Sequence, residues 1–195
     1  KYFKKYQKIL INMIQKKKAA RSLDPEEWIV LFILAWMSVA SWAPAQPPAQ
    51  RGLVLPLYAA DQKMDYGFAL REIKELGADS VCLTFALFQE NGASTSFYPK
   101  EGRTISEARL RTTLRQAEAA GLDAMLFPII LLDQPEDDDW RGNIAPASLD
   151  QWFEHYAMVI DHYATIAEEE KAEWLSVGSE FSSLEKHSVR WIEII

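Results

Sequence analysis

Cysteine is almost absent from this chain of 195 residues, which contains only Cys82. A single cysteine excludes an internal disulfide bond, and its place in the apolar run Ser80–Phe88 predicts a small buried side chain, not a nucleophile. Histidine is also scarce, and its three copies lack the spacing and neighbouring carboxylates of a metal site. The sequence contains no glycine-rich phosphate loop, nucleophile elbow or zinc motif. It therefore predicts a protein without a metal ion or other cofactor.

Positive charge is scarce over most of the chain, which has 21 Lys and Arg, 28 Asp and Glu and a formal net charge of −7. The bases are concentrated at the front, where residues 1–45 hold eight Lys and Arg against three acidic residues. The remaining residues, 46–195, then hold 13 bases and 25 acids, a net charge of −12. Such an acidic body argues against nucleic acid as a partner.

Long hydrophobic runs are also few, and the prominent one, Trp28–Ala40, follows the basic front end. Its length suits a signal-peptide core and falls short of the roughly 20 residues of a membrane-spanning helix. Ala43-Pro44-Ala45 offers a cleavage site, whereas an uncleaved anchor through residues 28–45 would hold the protein at a membrane. Residues 1–45 are therefore predicted to be a basic leader with a signal peptide or signal anchor, the alternative being a buried core helix. The body is expected outside the cytoplasm, as a periplasmic, secreted or membrane-anchored domain.

Residues 46–51 form a proline-rich spacer, which is stiffened by Pro47 and Pro48 and leads to a domain that begins at Gly52. The chain starts with Lys1 and stops at Ile195 within a helical pattern. We therefore expect one or both ends to continue in a longer protein.

Strands and helices alternate in the body. Apolar runs without alternation are typical of strands buried on both faces in a parallel sheet. These runs predict four strands, Gly52–Tyr58, Ser80–Phe88, Asp123–Leu132 and Trp174–Val177. Helical periodicity and capping signals predict a helix after each strand. The four helices are expected at Asp65–Leu76, from Ser106 to Gly121, from a capping box at Ser148 and Gln151, and at Leu184–Ile195.

Successive strand-helix units predict an α/β fold with right-handed crossovers. A (β/α)₈ TIM barrel needs about 250 residues, and residues 52–195 supply 144. The chain is therefore predicted to contribute roughly the first four βα units of such a barrel. A complete small doubly wound domain is the structural alternative.

The fourth predicted strand leads directly to a carboxylate. Gly178 follows Val177 and lets the backbone turn, and Glu180 then lies at the carboxyl end of the strand. Parallel α/β folds keep their active sites at this end. Glu180 is therefore a candidate catalytic residue, the alternative being a solvated glutamate in a loop.

The loops after the other strands offer candidate sugar contacts. Trp140 can stack on the apolar face of a pyranose, and Arg141 can donate to hydroxyls or orient a carboxylate. At the ends of strands one and two, Tyr58 and Gln89 could face the same cleft or simply pack. We expect the acidic run Asp137–Asp139 to form a solvated turn and not a calcium-binding loop.

Four segments together resemble the barrels of glycoside hydrolase family 113, which are β-mannanase-like members of a large clan of retaining enzymes. They are Trp140–Pro146, Trp152-Phe153, Tyr163-Ala164 and Val177–Phe181, within a resemblance that covers essentially all of residues 52–195. The resemblance implies that Glu180 is the general acid/base and that the nucleophile comes from a seventh strand beyond Ile195. Where mannanases of the family tend to carry Lys-Pro-His on strand three, this chain has Phe127-Pro128-Ile129.

The function expected from these features is that of a retaining glycoside hydrolase. Its substrate would be a β-linked polysaccharide or oligosaccharide, either mannan-like or an exopolysaccharide. One alternative is a non-catalytic barrel at the cell surface that binds carbohydrate or assists polysaccharide export. The other is a membrane-anchored scaffold whose acidic barrel meets a protein partner.

Overall fold

The computed structural model describes residues 50–58, 63–136 and 138–195. The predicted leader and most of the predicted spacer therefore lie outside the described residues. The described residues belong to one compact unit, Ala49–Ile195. Within them, no helix combines the length and the apolar character that crossing a membrane requires.

The described strands form one sheet, in which four parallel strands run in the order β1-β2-β4-β5. This order confirms the predicted parallel sheet of successive units. A short strand, β3, pairs antiparallel with the end of β2 and was not predicted. The strands are β1 Gly52–Pro56, β2 Ser80–Gln89, β3 Phe97–Tyr98, β4 Asp123–Leu132 and β5 Trp174–Leu175.

The helices cover one side of this sheet and begin close to the predicted positions. Gly77 and Gly121 take left-handed φ values of +85° and +70° just after the first two helices, as predicted for their stops. The last predicted helix, Leu184–Ile195, was too long, because turns occupy its first residues. The helices are α1 Gly67–Glu75, α2 Glu107–Ala119, α3 Leu149–Glu169 and α4 Ser188–Ile192, with a 3₁₀ turn at Arg141–Asn143.

The register of the sheet separates a helix-facing side from an open side. Leu83 of β2 pairs with Leu126 of β4, and both are fully buried beneath the helices. Side chains alternate along a strand, so Cys82 points to the opposite side, where it is only half-buried. The predicted full burial of Cys82 was therefore wrong, because the side chain is only half-buried. This partial burial raises the pKa of its thiol.

An aromatic cluster anchors α3 to the carboxyl ends of the strands. Trp152 is fully buried, stacks on Tyr156 with ring centroids 4.9 Å apart, and meets the ring of Phe181 edge-on. Its indole Nε1 donates to Oε1 of Gln89 at 2.9 Å. The hydroxyl of Tyr156 donates to the carbonyl of Val177 at 3.0 Å. These contacts fix the segment after β5, which carries the candidate carboxylate.

An ion-pair cluster joins α2 to the end of α3. The carboxylate of Glu170, whose side chain is 6% exposed, accepts hydrogen bonds from Arg115 at 2.6 and 2.7 Å and from Arg111 at 3.1 Å. The hydrogen bonds of Arg115, and then of Arg111, hold the pKa of Glu170 below its usual value of 4.5. Because this pKa is lower in the folded than in the unfolded state, the Glu170 charge stabilises the fold at pH values above the unfolded-state pKa. The stabilisation is lost as the pH falls through the folded-state pKa.

Glu170→Gln is therefore expected to lower the free energy of unfolding at pH 7 by roughly 1–2 kcal/mol and by less at pH 3, below the unfolded-state pKa. Urea denaturation at both pH values measures the difference. Glu118→Gln, which removes an exposed partner of Lys171, is the matched control and should change little at either pH. An equal loss of stability at both pH values would contradict the assigned role of the Glu170 charge.

Candidate active site

A cleft of about 330 Å³ opens at the carboxyl ends of β4 and β5. Three of the five predicted site residues, Trp140, Arg141 and Glu180, line it together. This is the edge of a parallel sheet at which active sites of α/β proteins form. The full lining is Arg103, Leu131, Leu132, Pro135, Asp139, Trp140, Arg141 and Glu180.

Glu180 is held in an unusual backbone conformation. Its φ is +58°, a left-handed value that costs a residue other than glycine roughly 1 kcal/mol or more. The next residue, Phe181, is buried, and Gly178 packs so closely on its ring that an added Cβ would lie 3.1 Å from it. The buried ring thus anchors the turn, and the Glu180 side chain remains 50% exposed.

Arg141 pairs with Glu180 across the cleft. Its Nε donates to Oε2 of Glu180, and its terminal NH2 group lies against the same oxygen. A partly exposed ion pair adds at most about 1 kcal/mol to stability. Its main consequence is therefore orientation, because the guanidinium fixes where the carboxylate oxygens lie. Of the two roles expected for Arg141 from the sequence, the structure shows that of orienting a carboxylate.

Trp140 lies directly over Gly142. A Cβ at Gly142 would come within 2.1 Å of the indole Cζ2, so only glycine leaves room for the ring in this position. The backbone N–H of Trp140 donates to the side chain of Asn143 at 2.9 Å, and the N–H of Asn143 donates back to the Trp140 carbonyl at 3.0 Å. The tryptophan is 52% exposed and so presents a free ring surface on a fixed loop.

Hydrogen bonds join the loops around the cleft. Ser183, beyond β5, donates from its backbone N–H to Gly142 at 3.0 Å and from its hydroxyl to Ile144 at 2.6 Å. Gly92, beyond β2, donates to the Asp139 carboxylate at 3.0 Å. Asp139 therefore anchors a loop and is not part of a freely solvated turn, while Asp137 of the same run lies outside the described residues.

Tyr58 and Gln89 do not join the described lining of the cleft. Tyr58 is 73% exposed beyond the end of β1, and its carbonyl accepts the hydroxyl of Tyr66 at 3.0 Å. Gln89 lies on the helix-facing side and is fully buried. Its amide Oε1 accepts the Trp152 indole N–H, and its Nε2 donates to the Asn91 carbonyl at 2.7 Å. We correct its role from a sugar contact to a core anchor, because neither end of the amide is left free.

The sequence interpretation missed Arg103, which follows β3 and reaches the cleft from the turn before α2. The signal that was available is a basic pair, Lys100 and Arg103, in an otherwise acidic body. It could not be placed because β3, which folds this segment back along β2, was not predicted. Among the described residues, no group of His, Cys, Asp or Glu side chains is arranged to hold a metal ion.

Comparison with known proteins adds the identity of the family. The sequence profile of Glycoside Hydrolase Family 113 matches residues 60–195. The fold is similar to a family 113 β-1,4-mannanase solved in a complex, with a TM-score of 0.65 at 22% identity, over 74% of this chain and 50% of that one. It is equally similar to the family 113 β-mannanase of Alicyclobacillus acidocaldarius in complex with ManMIm, with a TM-score of 0.65 at 25% identity, over 74% of this chain and 49% of that one.

The present chain spans about half the length of these two mannanases. No curated protein matches it significantly. The profile match covers well over half of the chain and includes strands β2 to β5 and the cleft residues described above. The chain belongs to glycoside hydrolase family 113.

Proposed function

We propose that this chain forms the N-terminal half of the (β/α)₈ barrel of a retaining glycoside hydrolase that acts on a β-linked, mannan-like glycan. The observation that carries the proposal is the meeting of Glu180, Arg141 and Trp140 in one cleft at the carboxyl edge of the sheet. Membership of family 113 and the mannanases of similar fold support a glycoside substrate. Three residues that were candidates from the sequence thus share one location.

In the proposed mechanism, Glu180 acts as the general acid and then as the general base. Retaining glycosidases hold two carboxyl groups about 5–5.5 Å apart, one of which attacks the anomeric carbon. As the glycosidic bond breaks, Glu180 donates a proton to the leaving oxygen. In the second step it takes a proton from the water that displaces the enzyme carboxylate. Arg141 holds the carboxylate in position, and Trp140 stacks on a sugar ring.

The second carboxylate is proposed to lie outside residues 52–195. Asp139 is the other carboxylate of the described lining, and it is bound to the N–H of Gly92 at 3.0 Å. An oxygen engaged in anchoring a loop is poorly placed to attack an anomeric carbon. The nucleophile is therefore assigned to the part of the barrel that the matched half does not include.

The full-length protein tests the proposal when it is incubated with β-1,4-manno-oligosaccharides and the first product is followed by NMR. A retaining enzyme releases the β-anomer first, before mutarotation produces the α-anomer. Initial release of the α-anomer would contradict the retaining mechanism. Binding without cleavage would favour the second candidate described next.

The second candidate is a non-catalytic glycan-binding barrel. It is favoured by one observation, that the described lining of the cleft offers no carboxylate besides Glu180 that is free of a loop-anchoring hydrogen bond. In such a barrel the Arg141–Glu180 pair would bind sugar hydroxyls. Glycan binding with no turnover in the full-length protein would establish it.

Gly142→Ala is expected to weaken glycan binding about five-fold to ten-fold, because the added methyl group displaces the Trp140 ring from its stacking position. Calorimetry on the full-length protein measures the dissociation constant. Ala145→Ser is the matched control, since Ala145 is exposed on the same loop. Unchanged binding by Gly142→Ala would exclude Trp140 as a sugar platform.

We also propose that the barrel works outside the cytoplasm. The proposal is based on the basic leader and the apolar run Trp28–Ala40, which lie outside the described residues. Fractionation of cells that express the full-length protein tests it. Recovery of the protein solely in the cytoplasmic fraction would contradict it.

A further inference from the structure

Arg103 reaches the cleft from a turn that is firmly attached to the sheet. The backbone N–H groups of Arg103 and Thr104 both donate to the carbonyl of Lys100, at 3.0 and 2.8 Å. The hydroxyl of Thr104, which is 6% exposed, donates to the carbonyl of Ala86 in β2 at 2.8 Å and accepts the N–H of Lys100 at 2.9 Å. The position of Arg103 is therefore set by the sheet.

The guanidinium of Arg103 is weakly engaged within the part of the chain that the structure describes. It lies 4.5 Å from the centroid of the Phe88 ring. Its NH1 forms a long ion pair with Asp133 at 3.7 Å, which is beyond hydrogen-bonding distance. The Asp133 carboxylate already accepts hydrogen bonds from the Lys100 ammonium and the Tyr98 hydroxyl. The hydrogen bond from Lys100 holds the pKa of this carboxyl below its usual range. The Arg103 side chain remains 53% exposed.

The other ionised side chains at the cleft each have a short ion-pair or hydrogen-bond partner. Arg141 is paired with Glu180, Lys100 with Asp133, and the Asp139 carboxylate accepts the N–H of Gly92. Among the described residues that line the cleft, Arg103 is thus the positively charged side chain whose N–H groups have no partner within hydrogen-bonding distance. A guanidinium presents its N–H groups as a planar fork, which matches a carboxylate through two parallel hydrogen bonds.

Resting on the proposed function, we propose that the cleft recognises a β-linked glycan that carries a carboxylate, a hexuronate, and that Arg103 binds this carboxylate. The Phe88 ring supports one face of the guanidinium, so its donor edge is fixed before a ligand arrives. Trp140 stacks on a sugar ring within the same cleft. A neutral hydroxymethyl group in place of the carboxylate would leave the donors of Arg103 without a short partner.

Two tetrasaccharides test the inference because they differ only at carbon six. They are β-1,4-linked mannuronate tetrasaccharide and mannotetraose, and calorimetry on the full-length protein measures both dissociation constants. We expect the mannuronate to bind about ten-fold more tightly than mannotetraose at low salt, and this advantage to shrink as salt is added. Arg103→Gln is expected to lose about ten-fold for the mannuronate and less than two-fold for mannotetraose.

Arg103→Lys, which keeps the charge without the fork, should retain part of the preference. Arg71→Gln on the exposed surface of α1 is the matched control and should change neither constant. Three results would each overturn the inference. They are equal affinities of the wild type for the two tetrasaccharides, no binding of the mannuronate, and equal losses of affinity for both ligands in Arg103→Gln. Cleavage of mannotetraose alongside equal affinities would leave the proposed function intact, whereas Arg103-dependent binding without any cleavage would overturn only the catalytic proposal.

Discussion

Replacement of Glu180 by glutamine in the full-length protein is expected to reduce turnover of an unactivated glycan by about 1,000-fold, within the range for loss of a general acid/base. Glutamine preserves the shape of the side chain and can still accept a hydrogen bond from Arg141, but it cannot transfer a proton to the leaving oxygen. Glycan binding should therefore be retained within a few-fold. Initial rates and calorimetry on the same preparation separate turnover from binding.

The size of the loss should depend on the leaving group. An aryl glycoside that leaves as a stable phenolate needs little acid assistance, so its first step should be much less affected by Glu180→Gln. Glu185→Gln, at an exposed position five residues further along, is the control and should keep its activity. Wild-type turnover of an unactivated glycan by Glu180→Gln would exclude Glu180 as the acid.

Trp152→Ala is expected to produce the largest loss of stability, about 4 kcal/mol in the free energy of unfolding. The side chain is fully buried and packs against the rings of Tyr156 and Phe181. Its removal leaves a large cavity and deprives the buried Gln89 oxygen of its donor, which adds a desolvation cost. Urea denaturation monitored by circular dichroism measures the change.

Two further substitutions on the same helix separate these effects. Trp152→Phe keeps an aromatic ring but loses the indole N–H, and it should lose about half as much stability as the alanine variant. Met158→Ala removes a side chain that is 66% exposed and should have an effect near zero. A loss below 1 kcal/mol in Trp152→Ala would show that the aromatic cluster is not the anchor of α3.

The parallel sheet was predictable because its two long strands are apolar with little polar alternation, although the described structure fully buries mainly the side that faces the helices. Ser80–Gln89 and Asp123–Leu132 are long enough for this pattern to stand out. β3 was missed because two residues carry no periodicity. The last helix was overextended because Leu184 and Trp191 recur at helical spacing, whereas Leu184 lies in a turn that its N–H closes onto the Phe181 carbonyl.

The location of the candidate site was also predictable, since Glu180 follows a predicted strand, Trp174–Val177, that leads into Gly178; the observed strand is shorter and ends at Leu175. The role of Gln89 was not, because the partner that holds its amide oxygen in the core, Trp152, lies 63 residues further along the chain. Arg103 could be placed only after β3 had brought its turn back to the cleft.

The most direct test of the central claim, that Glu180 is the acid/base, is azide rescue of Glu180→Ala. The full-length variant is given an activated dinitrophenyl β-mannoside with and without sodium azide. If Glu180 is the acid/base, azide enters the space left by the carboxylate, accelerates turnover and yields the β-glycosyl azide with retained configuration. An α-glycosyl azide would make Glu180 the nucleophile, and the absence of both rescue and azide product would contradict a catalytic role for Glu180.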